Sequence, residues 1–298
     1  MSRTRLSYIY AGIAILFWST IPTAFKICLG EMPIIHMLSI ASFTSALALL
    51  GIIIAGKKTS LLISSSPSGL LSSAILGLMN PFVYYLILLK AYKLLPAQVA
   101  QPLNMIWPII LVFLSAPILK QKIATRSYAA LLISFLGVYI ISSRGKLFSH
   151  NSADTLGVLL ATGSSVFWAL YFILNMRDKR DESVKLFLNF LFGSLYLAIA
   201  MTVTGNWPGM GIISLKGWVS AVYIGLFEMG LTFFFWLKAL QLAPSTDKVS
   251  NLVYLAPFLS LVFVNFILHE PLYLTTPLGL LLIITGILIQ NKNKRKRA

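Results

Sequence analysis

The residue of this chain best suited to chemistry is an acid inside a long apolar stretch. Glu228 lies between Phe227 and Met229, and the nearest charged residues on either side are Lys216 and Lys238. An ionisable side chain within a membrane span is costly to bury and by default marks a functional site. Burial disfavours the charged carboxylate, so Glu228 is predicted to exchange a proton. The alternative is a structural role, in which a protonated Glu228 hydrogen-bonds a neighbouring helix.

Glu228 belongs to a segment that occurs twice in the chain. Residues 77–91 return 148 positions later as residues 225–239, with five of fifteen positions identical. In the later copy Thr232 follows Glu228 by four residues, and in the earlier copy Tyr84 follows Asn80 by four. Side chains four residues apart share one face of a helix. The two copies are therefore predicted to present matching polar pairs.

Two further predicted helices carry polar stripes at helical spacing. Lipid-facing amides would lack partners, so these faces should turn toward a cavity or another helix. Asn104 and Asn251 are candidate binding residues, and helix–helix hydrogen bonding is the alternative for both. Asp247 is expected near a helix end, as a cap or gate. The stripes comprise Gln98, Gln101, Asn104 and Trp107 in the first half, and Asp247, Asn251 and Tyr254 in the second.

Deep aromatic residues complete the candidate site. They could wall a pocket or stack on a cation, although aromatic side chains more often pack in the core. Trp18 and Trp168 occupy equivalent positions in the two halves, which favours a shared role. Three scattered histidines do not indicate a metal site, and no cofactor is predicted. The candidate substrate-binding residues are Trp18, Asn80, Tyr84, Tyr85, Asn104, Trp107, Trp168, Glu228, Thr232, Asn251 and Tyr254.

The composition requires a membrane. Hydrophobic residues make up 58% of the 298 positions and charged residues only 11%, with a mean hydropathy of +0.85. A soluble domain averages about 25% charged residues, so this chain could not cover a water-facing surface. The apolar runs predict an all-α protein with ten spans. They cover approximately 8–29, 34–55, 69–90, 96–118, 126–143, 154–176, 184–204, 215–238, 245–268 and 273–290.

Lysine and arginine predict the orientation. With both termini cytoplasmic, 18 of the 24 basic residues fall on the cytoplasmic side, five on the far side, and Lys26 within the first span. This bias follows the positive-inside rule. It accounts for the net charge of +16 without a nucleic-acid partner. Two halves, 1–148 and 149–298, would each have five spans and opposite orientations. Inverted repeats of this kind are typical of alternating-access transporters.

Several short motifs, taken in order, resemble a known family. Phe17-Trp18-Ser19 followed by Lys26, the stretch 90–96, and the segment from Pro257 to Glu270 resemble motifs of the drug/metabolite transporter superfamily, in its ten-helix EamA-like group. Gly137 and Gly286 match that family's helix-packing glycines. Two positions depart from the pattern, because Ser42 stands where an arginine is frequent and Gln121 where a glutamate is expected. The resemblance implies export of amino acids, other metabolites or drugs.

The sequence therefore predicts a non-enzymatic secondary transporter of the bacterial inner membrane, a monomer or weak dimer, exporting amino acids or related small metabolites. Multidrug or sugar-type efflux is the alternative substrate class. Two other kinds of protein are weighed against it. An intramembrane enzyme would need converging acids or a His/Asp pair, and only Glu228 qualifies. In a scaffold or a receptor, an inverted repeat would have no obvious purpose.

Overall fold

The computed structural model describes residues 2–119, 125–144, 154–242 and 251–291, and within these ranges the chain is helical with no strand. The prediction of an all-α membrane protein is confirmed. The α-helices are α1 (Arg3–Glu31), α2 (Ile34–Ala55), α3 (Thr59–Ile63), α4 (Pro67–Gly77), α5 (Tyr84–Leu94), α6 (Ala97–Asn104), α7 (Trp107–Leu119), α8 (Thr125–Ser142), α9 (Thr155–Arg177), α10 (Glu182–Val203), α11 (Leu215–Ile224), α12 (Leu231–Leu242), α13 (Leu255–Leu268) and α14 (Thr275–Asn291).

Helical length and composition identify the segments that can cross a membrane. Among the described residues, seven segments have the required length and hydropathy, and three shorter apolar helices lie at the predicted fifth, ninth and tenth spans. Ten crossings remain a prediction. The seven are Arg3–Glu31, Ile34–Ala55, Pro67–Leu94, Ala97–Ile118, Thr155–Asn175, Glu182–Val203 and Leu215–Trp236, and the shorter three are Thr125–Ile141, Leu252–Leu268 and Thr275–Ile289.

The helices group into two compact units. The first unit comprises Met1–Leu86 and Asp178–Leu268, and the second comprises Ile87–Arg177 and His269–Ala298. Each unit thus takes helices from both sequence halves. The predicted boundary between the halves, at residues 148 and 149, lies outside the described part of the chain.

Reciprocal glycine contacts hold the first unit together. A Cβ added to Gly77 would overlap the carbonyl oxygen of Asn189 in α10, and one added to Gly225 would overlap the carbonyl oxygen of Ala41 in α2. Gly225 lies 148 positions after Gly77, and Asn189 lies 148 after Ala41. Each half therefore packs the same glycine against the same helix of the other half. Only a residue without a side chain allows backbones this close.

The same reciprocity recurs in the second unit, between α8 and α14. A Cβ on Gly137 would lie 2.5 Å from the carbonyl oxygen of Gly279, and one on Gly286 would lie 2.7 Å from that of Ala130. Gly286 follows Gly137 by 149 positions, and Gly279 follows Ala130 by 149. Gly137 and Gly286, predicted as packing glycines, both lie at this helix contact.

Glu270 caps a helix in the second unit. Its Oε1 accepts a hydrogen bond of 3.1 Å from the backbone N–H of Ala97, at the start of α6. A carboxylate satisfies the free N–H groups of a helix N-terminus and complements the helix dipole. Gln98 adds to the connection, since its Nε2 donates to the carbonyl of Pro271 at 2.6 Å and its Oε1 accepts from the N–H of Tyr273 at 3.1 Å. The segment before α14 is thereby fixed to α6.

An ion-pair cluster precedes α10 in the first unit. The Asp178 carboxylate accepts hydrogen bonds of 3.0 Å from Arg180 Nε, and Arg180 Nη2 also donates to Ser73 Oγ of α4 at 2.8 Å. The hydrogen bond from Arg180 holds the pKa of Asp178 below its ordinary value. Arg180 thereby ties the loop to α4.

Asp178→Asn is expected to lower the free energy of unfolding by about 1 kcal/mol at neutral pH. Because the folded pKa is depressed, the contribution of Asp178 is complete above the unfolded value near pH 4 and is lost as the pH falls through the folded value. Thermal unfolding in detergent between pH 7 and pH 3 measures this. Lys179→Gln, at the exposed neighbouring position, is the control and should change little. A deficit in Asp178→Asn that persists unchanged at the lowest pH would refute the ion-pair account.

Candidate functional site

Two π-helical turns mark the repeated motif in the first unit. They cover Leu78–Val83 and Gly225–Gly230, so both copies of the repeat are distorted at the same place, although the first turn contains a non-helical residue and the second does not. Serine caps also repeat: the hydroxyls of Ser66 and Ser214 accept from the backbone N–H three residues on, at 3.2 and 3.0 Å. Single π-turns within helices occur frequently at functional sites.

The two turns place Asn80 and Glu228. Asn80 has φ −147° and ψ 117°, an extended backbone within the helix, and it precedes Pro81, which has no N–H to donate. The helix is broken there. Glu228 stays helical and is only partly buried. Equivalent positions of the repeat thus carry an amide on a broken turn and an acid on an intact one.

Glu228 is hydrogen-bonded across the repeat. The Tyr85 hydroxyl donates to Glu228 Oε1 at 3.0 Å, and the Tyr85 side chain is almost fully buried, with 1% of its surface exposed. Tyr84, also buried, packs its ring edge-on against Tyr85 with centroids 4.7 Å apart. The sequence proposed all three residues as candidates, and the structure brings them together. A partly buried carboxylate with a tyrosine donor is suited to holding and releasing a proton.

An aromatic wall adjoins Glu228. Phe17 of α1 stacks on Phe227 with centroids 4.2 Å apart, and Tyr223 packs against Phe227 at 4.8 Å. The Tyr223 hydroxyl lies 2.6 Å from Thr20 Oγ1. Phe17, Tyr223 and Phe227 are not among the site residues predicted from the sequence. The available signal for Phe227 was its position next to Glu228, and the signal for Phe17 was its position next to the candidate Trp18.

Trp18 lies beside this wall. Its ring packs edge-on against Phe233 with centroids 5.7 Å apart and against Trp236 at 5.5 Å. Both partners belong to α12. Trp18 thus contributes to the α1–α12 seam of the first unit.

Thr232 is buried, and its hydroxyl donates to the carbonyl of Phe227 at 2.5 Å. The acceptor lies five residues earlier, at the π-turn. The hydroxyl therefore satisfies the distorted backbone of its own helix.

The second unit gathers three other candidates. Asn104 Nδ2 donates to Ser164 Oγ at 2.8 Å, and Ser165 Oγ donates to the Asn104 carbonyl at 2.8 Å. The Trp107 and Trp168 rings meet edge-on with centroids 6.4 Å apart. Asn104 thus makes the helix–helix hydrogen bonds that the sequence offered as its alternative role. Substrate contact by these residues stays a prediction.

Asn104→Leu is expected to destabilise the protein by about 1–3 kcal/mol, because it leaves the Ser164 hydroxyl without its donor. Thermal unfolding in detergent measures the loss. Thr162→Val is the control, since the Thr162 hydroxyl donates to carbonyls of its own helix, those of Val158 and Leu159. Equal stability of Asn104→Leu and the native protein would show that the pair does not join the helices.

The remaining candidates lie at the edge of the described chain. Tyr254 ends a short 3-10 turn, Asn251–Tyr254, and is partly buried. The side chain of Asn251 lies outside the described part of the chain, and so does the whole of Asp247. Within the described ranges no group of three or more His, Cys, Asp or Glu side chains could hold a metal ion.

Comparison with known protein families identifies the class of protein to which this chain belongs. The EamA-like transporter family matches residues 5–143 and 155–291. The chain belongs to the EamA-like transporter family. The resemblance drawn from the sequence motifs is confirmed, and the protein is a multi-pass membrane transporter of that type.

Individual relatives carry transporter names. The chain is 29% identical over 232 residues to the uncharacterized transporter YvbV of Bacillus subtilis, covering 74% of this chain and 72% of the relative. It is 26% identical over 287 residues to an uncharacterized transporter of Archaeoglobus fulgidus, covering 95% and 97%. It is 24% identical over 188 residues to the aromatic amino acid exporter YddG of Ancylobacter novellus, covering 62% and 63%.

A crystal structure of another protein shares the fold. The TM-score is 0.67 at 20% sequence identity, with 99% of this chain and 100% of the other covered. The helical arrangement is thus one found in a known structure.

Proposed function

We propose that this EamA-like transporter is a secondary carrier that exports amino acids or related small metabolites by alternating access, coupled to protons through Glu228. The hydrogen bond between Glu228 and Tyr85 supports this proposal most directly. This hydrogen bond joins the two copies of the repeat. Glu228 itself lies in Leu215–Trp236, a segment long and apolar enough to cross the membrane. An acid in such a position is typical of proton relays in transporters.

The repeat supports the alternating-access part of the proposal. Gly77 and Gly225 pack against equivalent helices of the opposite half, so the two sequence halves interlock in one reciprocal pattern. With an odd number of spans in each half, as the sequence predicts, the halves would be inverted relative to each other. Inverted halves can exchange conformations and expose one site to either side of the membrane in turn.

Aromatic amino acids are the first substrates to consider. Phe17 stacks on Phe227, the residue before Glu228, and Tyr84 packs against Tyr85, the donor to Glu228. Such ring surfaces suit an amphipathic molecule better than a polyanion. One relative, YddG of Ancylobacter novellus, is named an aromatic amino acid exporter. Asn80, Tyr85, Thr232 and Trp18 complete the proposed site in the first unit.

Uptake of radiolabelled amino acids into proteoliposomes containing only this protein tests the proposal. Phenylalanine, tyrosine and tryptophan should enter faster than into protein-free vesicles and should compete with one another. If no amino acid moves, the amino-acid assignment is wrong. Drugs and sugars would then be tested, because multidrug or sugar-type efflux is the alternative within the family. Absence of movement for every class would favour a scaffold or receptor.

The charges of the loops indicate how the protein is oriented in the membrane. The excess of lysine and arginine on one side orients both termini to the cytoplasm, and we place the protein in the bacterial inner membrane as a monomer or weak dimer. The orientation is tested by introducing single cysteines into the otherwise native chain and labelling them. A cysteine introduced at Lys179 should react only with membrane-permeant reagents in intact cells, and one introduced at exposed Thr204 should also react with impermeant ones.

A further inference from the structure

Asn80 is a buried amide whose side-chain oxygen lacks a partner. Only 3% of the residue is exposed, and Oδ1 accepts no hydrogen bond from the part of the chain that the structure describes. An unpaired buried acceptor destabilises the folded state, so each such group needs an explanation.

The repeat shows why Asn80 is unpaired. Asn80 corresponds to Glu228, and Tyr85 corresponds to Phe233, both at a separation of 148 residues. Glu228 has the Tyr85 hydroxyl as its donor. The position equivalent to Tyr85 carries Phe233, which has no hydroxyl. The chain therefore keeps a side-chain acceptor in both halves, and the described residues supply a donor to Glu228 but none to Asn80 Oδ1.

Packing fixes the chain beside Asn80. A Cβ added to Gly193 of α10 would overlap the ring of Pro81, so the residue after Asn80 is tightly packed against that helix. Because the backbone of Asn80 is extended, its side chain does not follow the direction of the side chains on the flanking helices. An acceptor atom beside a fixed backbone is pre-organised for a partner from outside the protein.

We propose that Asn80 Oδ1 accepts a hydrogen bond from a primary ammonium group of the transported molecule. This rests on the proposed transport function and names the chemistry of one of its contacts. An amide oxygen only accepts, so a carboxylate cannot pair with it, whereas an ammonium group donates three hydrogens. Hydrogen bonds to a charged donor are the stronger kind.

Three matched probes test the proposal in lipid nanodiscs. Phenethylamine, 2-phenylethanol and 3-phenylpropionate share a phenyl ring and differ in carrying an ammonium, a hydroxyl or a carboxylate. Thermal unfolding and equilibrium binding are measured for the native protein, Asn80→Leu and Asn80→Asp. Phenethylamine should stabilise the native protein more than the other two probes. Asn80→Leu should weaken phenethylamine binding by about tenfold or more. Asn80→Asp keeps an acceptor oxygen and should retain binding within about threefold of native.

Stability separates a binding role from a structural one. Removing an unpaired buried acceptor should leave the unfolding temperature of Asn80→Leu equal to or above that of the native protein. Asn104→Leu is the matched control, because Asn104 is paired with Ser164 and its loss should lower that temperature.

Several results would overturn the ammonium site. They are destabilisation of Asn80→Leu comparable to that of Asn104→Leu, equal phenethylamine binding by Asn80→Leu and native protein, loss of binding in Asn80→Asp, or no preference of the native protein for phenethylamine. Binding is measured at equilibrium and does not require transport. A protein that binds the amine but transports nothing is therefore distinguishable from one that lacks the ammonium site. Asn80-dependent amine binding without uptake in proteoliposomes would reject the transport proposal and leave the ammonium site standing.

Discussion

Replacing Glu228 with glutamine should abolish substrate accumulation driven by a pH gradient. Glutamine preserves the size of the side chain and can still accept the hydrogen bond from Tyr85, but it cannot bind and release a proton. With one proton per substrate, a gradient of one pH unit supports about tenfold accumulation, since one pH unit corresponds to about 1.4 kcal/mol. Native protein should approach this limit, whereas Glu228→Gln should only equilibrate substrate across the membrane.

The measurement is radiolabelled substrate uptake into proteoliposomes with and without an imposed pH gradient. Glu31→Gln is the matched control, because Glu31 forms an ion pair of 3.0 Å with the exposed Lys216 away from the site. It should accumulate substrate as the native protein does. If Glu228→Gln responded to the gradient like the native protein, Glu228 would be a packing residue and the coupling proposal would be wrong.

Valine at Gly225 should prevent stable assembly of the first unit. The added Cβ would overlap the Ala41 carbonyl oxygen and would lie 2.8 Å from Thr44 Cβ in α2. Backbone atoms of a packed helix cannot rotate away as a flexible side chain can, so α2 and the π-turn would have to separate. Overpacking costs about 1–3 kcal/mol in general, and a clash with backbone belongs at the upper end of that range. Gly77→Val should have a similar effect through Asn189.

Thermal unfolding in detergent and the fraction of monodisperse protein measure the effect. Gly51→Val in α2 is the matched control, because a Cβ there meets nothing within 4 Å. That variant should express and unfold like the native protein. Native-like stability of Gly225→Val would contradict the close contact between the π-turn and α2.

The sequence predicted the membrane helices well because apolar length alone marks them. Each of the seven span-length helices lies within a few residues of a predicted span. The sequence repeat also identified the segment that carries Glu228. It did not predict that this segment would contain a π-turn in both copies. A π-turn adds a residue to the helix, and hydrophobic periodicity does not detect a single added residue.

That extra residue explains the outcome for Thr232. Spacing of four residues placed it on the face of Glu228, as in an α-helix. In the structure the π-turn intervenes, and the hydroxyl bonds to the Phe227 carbonyl five residues back. Tyr85 shows a different limit. The sequence proposed it as a deep aromatic, but its bond to Glu228 depends on how two segments 143 residues apart pack, and such pairing cannot be read from local spacing.

Coupled proton movement tests the central claim most directly. Proteoliposomes are loaded with a pH-sensitive dye, and an aromatic amino acid is added outside at equal pH. If Glu228 couples export to protons, native protein should move protons in the direction opposite to the substrate until an opposing pH difference forms, and Glu228→Gln should show substrate movement without a dye response. Substrate movement by the native protein with no change in internal pH would contradict proton coupling through Glu228.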